Sequence, residues 1–287
     1  MAGKRDIVRR IRAVRSIQQI TKAMKMVAAS QLRRAQQKVV AARPYAGNLQ
    51  DMLLRLVATD VNLKHPLTQG RPVKTTAFVV VTGDRGMAGS YNVNIIRRAS
   101  QAIRDSAAEV ALVAVGRKGR DFFRRRGYRF AREVTGLGEE VHFSQARQIA
   151  QMLMNMFLAG EVDEVRLIYT EFITALQQRP VDVYLLPIVP PPNQGRQEAA
   201  PREYIYEPSA EEVLGTLLPK YVEMQVYRAL AEAKAAENGA RMTAMGSATD
   251  NATEMIGKLT LAYNQARQAA ITREISEIVG GAEALES

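Results

Sequence analysis

No glycine or proline interrupts the forty residues between Gly3 and Pro44. Those two residues are the usual helix punctuation, so their absence predicts one helix far longer than a globular domain normally needs. Ile7, Ile11, Val14, Ile17, Thr21, Met24, Ala28, Leu32, Ala35 and Val39 recur every three or four positions, which draws one stripe down one side. At about 1.5 Å per residue such a helix is about 60 Å long. In its middle Ile20, Ala23, Met26, Val27 and Ala29 widen the stripe. A helix that is apolar around most of its circumference is buried by more than one neighbour. This stretch is therefore expected to touch something besides its helical mate.

The other end of the chain repeats the pattern. Ser209 to Glu212 (SAEE) is a capping-box match after Pro208, and no proline follows Pro219, which permits a kink. Val222, Val226, Ala229, Ala233, Ala236, Ala240, Ala244, Ala248, Ala252, Met255, Leu259, Ala262, Ala266 and Ala269 form a second stripe. Its small side chains allow two backbones to approach closely, and sixty residues from Lys220 give a rod of about 90 Å. Gly239, Gly246 and Gly257 inside it each cost about 1 kcal/mol relative to Ala, and mark thin spots or contact points. Two long helices with one seam each satisfy one another as an antiparallel coiled coil. Pairing of each helix with the same helix of a second copy fits the pattern as well. In the first scheme Ile275, Ile278, Val279, Ala282 and Leu285 have no partner within the chain, so the C-terminal tip is expected to insert into something.

Between the ends the period changes. Apolar runs at 77–82, 110–115, 165–170 and 181–188, with a further candidate at 128–134, alternate with helical patterns at 93–106, 118–125 and 144–158. Continuous apolar strands alternating with helices predict a mainly parallel sheet covered on both faces. The loop from Pro190 to Gly195 is exposed, and 202–206 reads as a short edge strand. The fold class is α/β plus long α: an antiparallel coiled coil of the terminal helices with an inserted Rossmann-like α/β domain. The expected boundaries are 1–60 for the N-terminal helix, 75–190 for the α/β domain, 191–208 for a linker and foot, and 209–287 for the C-terminal helix.

Charge is distributed as unevenly as hydrophobicity. Residues 1–43 carry twelve Lys or Arg against the single acid Asp6, a net +11 that equals the net charge of all 287 residues. Such segregation points to an acidic partner surface for the N-terminal helix. With no cysteine in the chain, disulfides, thiolate metal sites and cysteine nucleophiles are excluded. No run of eighteen apolar residues spans a membrane and no secretory signal opens the chain, so an intracellular, soluble or peripheral protein is expected.

Chemistry has few footholds. The glycine-rich turn from Gly83 to Asn92 (GDRGMAGSYN) lies between a strand and a helix, where backbone N–H groups cradle phosphates in other folds. It matches neither the Walker loop nor the dinucleotide fingerprint, and a tight turn requiring glycine dihedrals accounts for it equally well. His65 and His142 are far apart in sequence, and neither a nucleophile elbow nor a paired-histidine zinc motif is present. Glu274 and Glu277 share one helix face, where a solvated or partner-facing role is expected. No active site, metal or cofactor is expected. A basic helix is also the feature of a nucleic-acid binder. Against that alternative, the basic segment lacks stacking aromatics and its apolar stripe requires burial. Membrane-surface binding is a weaker rival, because the apolar side is rich in Ala rather than Trp or Phe.

Three groups of residues carry a family resemblance: Ile20 to Ser30 (ITKAMKMVAAS), Thr82 to Gly86 (TGDRG), and Ala240 to Ala252 (ARMTAMGSATDNA). With the closing runs Tyr263 to Ala269 (YNQARQA) and Ile271 to Glu274 (ITRE), the sequence resembles the gamma subunit of F-type ATP synthases, of the bacterial type, across essentially its whole length. The resemblance implies a central rotor shaft. Its terminal helices turn inside a ring of three alpha and three beta subunits, and its α/β domain holds epsilon and stands on the c ring. Ion flow turns the shaft, and ATP is made or hydrolysed on the ring, with one gamma chain per complex. By position, Met24 and Lys25 fall in the stretch that passes an acidic loop of beta. Arg267 and Gln268 match the pair that engages a polar loop of beta, and Thr272 and Glu274 lie in the same coupling region. Tyr204, Tyr206 and Glu207 resemble the foot near epsilon and the c ring. The expected location is peripheral, on the cytoplasmic face of the cell membrane, and the Met1 start favours a bacterial source. Thiol regulation is not expected in a chain without cysteine.

Overall fold

The β-branched run Thr75–Val81 (β1) forms the middle of a five-stranded sheet. Glu109–Val115 (β2) pairs with it in parallel over seven positions, from Thr75 opposite Glu109 to Val81 opposite Val115. Phe130–Val134 (β3) extends the sheet beyond β2, Glu164–Phe172 (β4) lies parallel on the other side of β1, and Gln178–Leu186 (β5) closes that edge antiparallel to β4. The spatial order is therefore β3-β2-β1-β4-β5. Pro180 sits in β5, where an edge strand tolerates a missing N–H donor.

The computed structural model describes residues 4–58, 65–188 and 210–286. Its helices are α1 (Lys4–Ala58), α2 (Tyr91–Arg104), α3 (Arg117–Arg124), α4 (Phe143–Leu158) and α5 (Ala210–Glu286). The Ser209 cap, the 190–195 loop and the 202–206 edge strand lie outside the described residues. α1 continues through Pro44, and α5 through Pro219. Each proline removes one helix hydrogen bond, so flanking turns and packing carry the helix past it.

The structure divides into two units: Ala28–Arg241, and Met1–Val27 with Met242–Ser287. In the first, alternate side chains of the strands face opposite layers. Phe78, Val80, Leu112 and Ile168 pack on Ile95, Ala99 and Ile103 of α2 and on Phe123 of α3. Val79, Val81, Val113, Val165 and Leu167 pack on Ile149, Leu153 and Phe157 of α4 and on Val222, Val226 and Ala233 of α5. Both faces are covered, as continuous apolar strands require. Within this unit α1 also meets α5, where Leu49 packs on Met224. Lys38 and Arg34 reach Glu140 at 3.1 and 3.3 Å. Part of the basic charge of α1 is thus answered within the chain.

The second unit is an antiparallel helix pair. Lys25 lies 3.6 Å from a Cβ placed on Gly246. Thr249 Oγ1 donates to Thr21 Oγ1 at 2.9 Å, and Gln18 Nε2 donates to Thr253 Oγ1 at 2.7 Å. Two sequence expectations change here. Ile17 is 53% exposed and Met255 is 51% exposed, so both lie off the seam. A supercoiled pair repeats every 3.5 residues, and strict steps of four and three from Ile7 reach position 18 instead of 17. Gln18 therefore takes the inward place and finds a hydroxyl partner.

Candidate functional site

A doubly wound sheet offers its ligand crevice beyond the carboxyl ends of the strands, where successive connections diverge to opposite sides. Here that place lies between β1 and β4. The glycine-rich turn leaves β1 at this point, and the N–H group at its start and those of the adjoining first turn of α3 are already engaged. Gly83 N–H goes to Asn92 Oδ1 at 3.0 Å, Gly119 N–H goes to Thr82 Oγ1 at 2.9 Å, and Lys118 N–H goes to the Gly83 carbonyl at 3.1 Å. The Asp84 carboxylate accepts the N–H groups of Arg117 and Gly136, each at 3.0 Å. The chain supplies its own anion where loops after β1, β2 and β3 converge. The glycine dihedrals expected of the turn are only partly there, since positive φ occurs at Met87 (59°) and Gly89 (53°). Gly83 is small for another reason: a Cβ there would lie 3.0 Å from Glu237 Oε1.

Glu237 belongs to α5, which fills the crevice. Ala236 packs on Ala88 and Tyr91 beside Phe172, at the end of β4. Gly239 lies close to the β4–β5 turn, and a Cβ on it would approach Ala175 to 3.3 Å. Burial pushes the Tyr91 hydroxyl well above its ordinary range, the Glu237 carboxylate adds to this, and Arg241 opposes it. Beside the filled crevice a polar chamber of about 180 Å³ is lined by Asp84, Arg85, Arg117, Glu139, Lys234 and Glu237. Its cations and carboxylates are matched: Arg85 with Glu139 at 2.7 Å, Lys234 with Glu237 at 3.3 Å, and Arg117 with Asp84 at 3.7 Å. No unbalanced charge is left there to attract a phosphate. His65 and His142 serve local structure: His65 Nδ1 accepts the Leu67 N–H, and His142 caps α4 together with Gln145. Among the described residues, no group of three His, Asp or Glu side chains converges as a metal site would require.

The helix pair leaves other surfaces open. Ile20 and Met26 are 57% and 60% exposed, and Val27 and Ala23 are exposed beside them. Met24 is half-buried and Lys25 exposed, whereas Arg267, Gln268, Thr272 and Glu274 are all exposed on α5. Each step toward the start of α1 is matched by a step toward the end of α5, so Lys4 comes level with Arg267. Beyond that level α5 has no α1 residue beside it, and residues 271–281 are exposed throughout. Ile275, Ile278 and Val279 are thus exposed, without a partner among the described residues; the side chains of Ala282 and Leu285 lie outside the description. The level of Lys25 and the level of Arg267 are separated by about 30 Å of helix. The structure therefore does not gather the expected contact residues into one site. Tyr204, Tyr206 and Glu207 lie outside the described residues.

The sequence pattern of the family described as ATP synthase matches residues 3–285. The ATP synthase gamma chain of Desulfitobacterium hafniense is 57% identical over 286 residues, covering 100% of both chains. That of Heliobacterium modesticaldum is 56% identical, covering 99% of this chain and 100% of its own. The chain belongs to the ATP synthase gamma-chain family. In a structure of the Tetrahymena thermophila mitochondrial ATP synthase central stalk and c ring, a chain 27% identical superposes with a TM-score of 0.62. It covers 80% of this chain and 99% of its own. A Euglena gracilis mitochondrial ATP synthase chain, 19% identical, shares the fold at a TM-score of 0.67, covering 98% of this chain and 94% of its own. In this gamma-family chain the nucleotide-type crevice is filled by its own helix α5.

No motif in the sequence of this gamma-family chain marks the buried charges of α5. A signal was present: Lys234, Glu237, Asn238 and Arg241 recur at helical spacing inside a helix that otherwise turns Ala inward.

Proposed function

We infer that the chain is the central rotor shaft of an F-type ATP synthase, coupling rotation of a c ring to conformational change in catalytic beta subunits. The observation that carries this reading is the pair of unsatisfied surfaces on a two-helix rod. They are the apolar row of α1 around Ile20 and Met26, and the stretch of α5 beyond the reach of α1. Contiguous exposed apolar surface of this kind marks a protein partner. Arg and Lys around the α1 row suit an acidic surface of beta. Met24 and Lys25 form one grip on beta, and Arg267, Gln268, Thr272 and Glu274 form a second at another level of the rod. Two grips at different levels let one asymmetric shaft present different faces to successive beta subunits as it turns. The apolar tip provides a bearing, since dispersive contacts have little directional preference.

The α/β domain faces epsilon and the c ring, with Tyr204, Tyr206 and Glu207 at the foot. No helix among the described residues is long and apolar enough to cross a membrane, and the subunit is peripheral. Its place is at the cytoplasmic face, held there through the complex. The nucleic-acid alternative draws no support from the full-length likeness to gamma chains.

Co-expression with alpha and beta chains tests the reading. A complex with one copy of this chain, three alpha and three beta chains, and ATPase activity is expected. Failure to form it contradicts the assignment. Arg267→Ala with Gln268→Ala is expected to weaken coupling or assembly, and unchanged coupling removes that pair from the grip.

A further inference from the structure

Within the sheet unit α5 meets the α/β body through Leu214, Leu218, Val222, Val226 and Leu230, and then, along its last turns in this unit, through the small side chains of Ala229, Ala233 and Ala236. Contacts among small apolar side chains are dispersive and carry little directional information. The Ala-lined turns thus offer less side-chain shape than the leucines before them to fix the angle of the helix about its own axis.

One row of α5 breaks that pattern. Glu237 is 4% exposed, and its Oε1 receives Arg241 Nη2 at 2.6 Å. Its Oε2 receives Lys234 Nζ at 3.3 Å. Arg241 also donates to Asn238 Oδ1 at 3.0 Å and to the Gly86 carbonyl at 3.3 Å, in the turn after β1. Lys234 reaches Glu139, in the loop after β3, at 3.8 Å. The row therefore joins α5 to two separate loops of the α/β body. Gly83 gives the Glu237 carboxylate its room. A buried ionic cluster is a poor source of stability, because well-packed apolar residues of similar volume do as well or better. What apolar residues do not supply is direction.

We propose that Glu237, with Lys234 and Arg241, is a rotational key: a set of positioning residues that fixes the angle of α5 against the α/β body. Torsion arising in one is then delivered to the other and is not lost as slip along the Ala-rich face. Glu237 is central because it orients both cations. The proposal rests on the rotor reading above and adds to it the place where helix and body are locked together.

The test uses the whole complex, with alpha, beta, epsilon, c ring and the membrane partners, reconstituted in sealed vesicles. Two variants are compared with the parent: Glu237→Gln, and Glu237→Met combined with Arg241→Met. Melting temperature, ATP hydrolysis and ATP-driven ion pumping are measured on each. The Met pair replaces the buried charges by apolar volume, so it is expected to melt and hydrolyse ATP close to the parent. Its pumping per ATP is expected to fall by at least about threefold, the size of effect typical of a coupling contact. A parental ratio of pumping to hydrolysis in a well-folded Met pair overturns the key. Should the Met pair fail to assemble, Glu237→Gln decides, since it keeps the shape and removes the charge: a reduced ratio supports the key and an unchanged ratio overturns it. A parental complex that hydrolyses ATP without pumping contradicts the rotor reading itself, which separates the two failures.

Discussion

In the sheet unit Phe78, Ile95, Leu153 and Phe157 are sealed from solvent on the two sides of the strands. In the helix pair the seam is narrow and partly polar, with Ile7, Thr21, Met245 and Ala252 buried, while Ile17, Ile20, Met26 and Val27 face outward. Both units draw on the same long helices. The first completes its own core, and the second has an outer apolar layer that its own residues do not cover. A folding domain requires the former. A part built to be surrounded by other chains shows the latter. The same contrast separates residues that govern stability from residues that govern coupling.

The sharpest way to break that contrast is to truncate each layer in turn. Phe78→Ala in the isolated chain is expected to lower unfolding free energy by about 3–5 kcal/mol, measured by urea denaturation. A loss below about 1 kcal/mol would mean that the sheet core does not carry the unit. Next in size is Asp84→Ala. It strands the N–H groups of Arg117 and Gly136, for an expected loss of about 1–3 kcal/mol. A variant as stable as the parent would show that the converging loops do not depend on that carboxylate.

Asp163 contributes a smaller, pH-dependent effect. The N–H groups of Thr75 and Lys74, at 2.9 and 2.8 Å, together with Arg71, hold its carboxyl below the usual range. A carboxyl depressed by folding adds stability that is fully present above its unfolded value and is lost as pH falls through the folded value. The urea midpoint of the parent should therefore decline on acidification below about pH 4, and Asp163→Asn should flatten part of that decline. An identical acid limb in the variant would contradict the assignment. The smallest effect on stability is expected from Ile20→Ser, within about 0.5 kcal/mol in the isolated chain. The same change should weaken assembly with alpha and beta chains. Equal affinity would mean that the outer row is not a partner surface.

Much of this contrast was legible in the sequence. Long runs without glycine or proline announced both helices, and the apolar runs located all five strands to within a few residues. The extra apolar side chains around Ile20 and Met26 widen the stripe in the sequence, and in the structure they are exposed. What escaped was set by three-dimensional convergence. Whether Ile17 or Gln18 faces α5 depends on supercoiling, which shifts the repeat from 3.6 to 3.5 residues. That a carboxylate of α5 sits against Gly83 depends on contact between positions 154 residues apart. The glycine turn looked like a possible phosphate cradle because its local pattern does not reveal that Asn92, Asp84 and Thr82 already take or hold its neighbouring N–H groups. The two expected grips on beta are equally legible as motifs. Their separation of about 30 Å followed only from the register of the pair.

The central claim is that this chain turns as a shaft and performs no catalysis. Because the chain contains no cysteine, a single Cys placed at the exposed Leu176 gives a unique attachment point for an optical probe. Alpha and beta chains, anchored to a surface and carrying the labelled chain, would be observed one complex at a time after ATP is added. The account predicts stepwise rotation of the probe in one direction, stopping when ATP is exhausted. ATP hydrolysis by complexes whose probe remains stationary would contradict it.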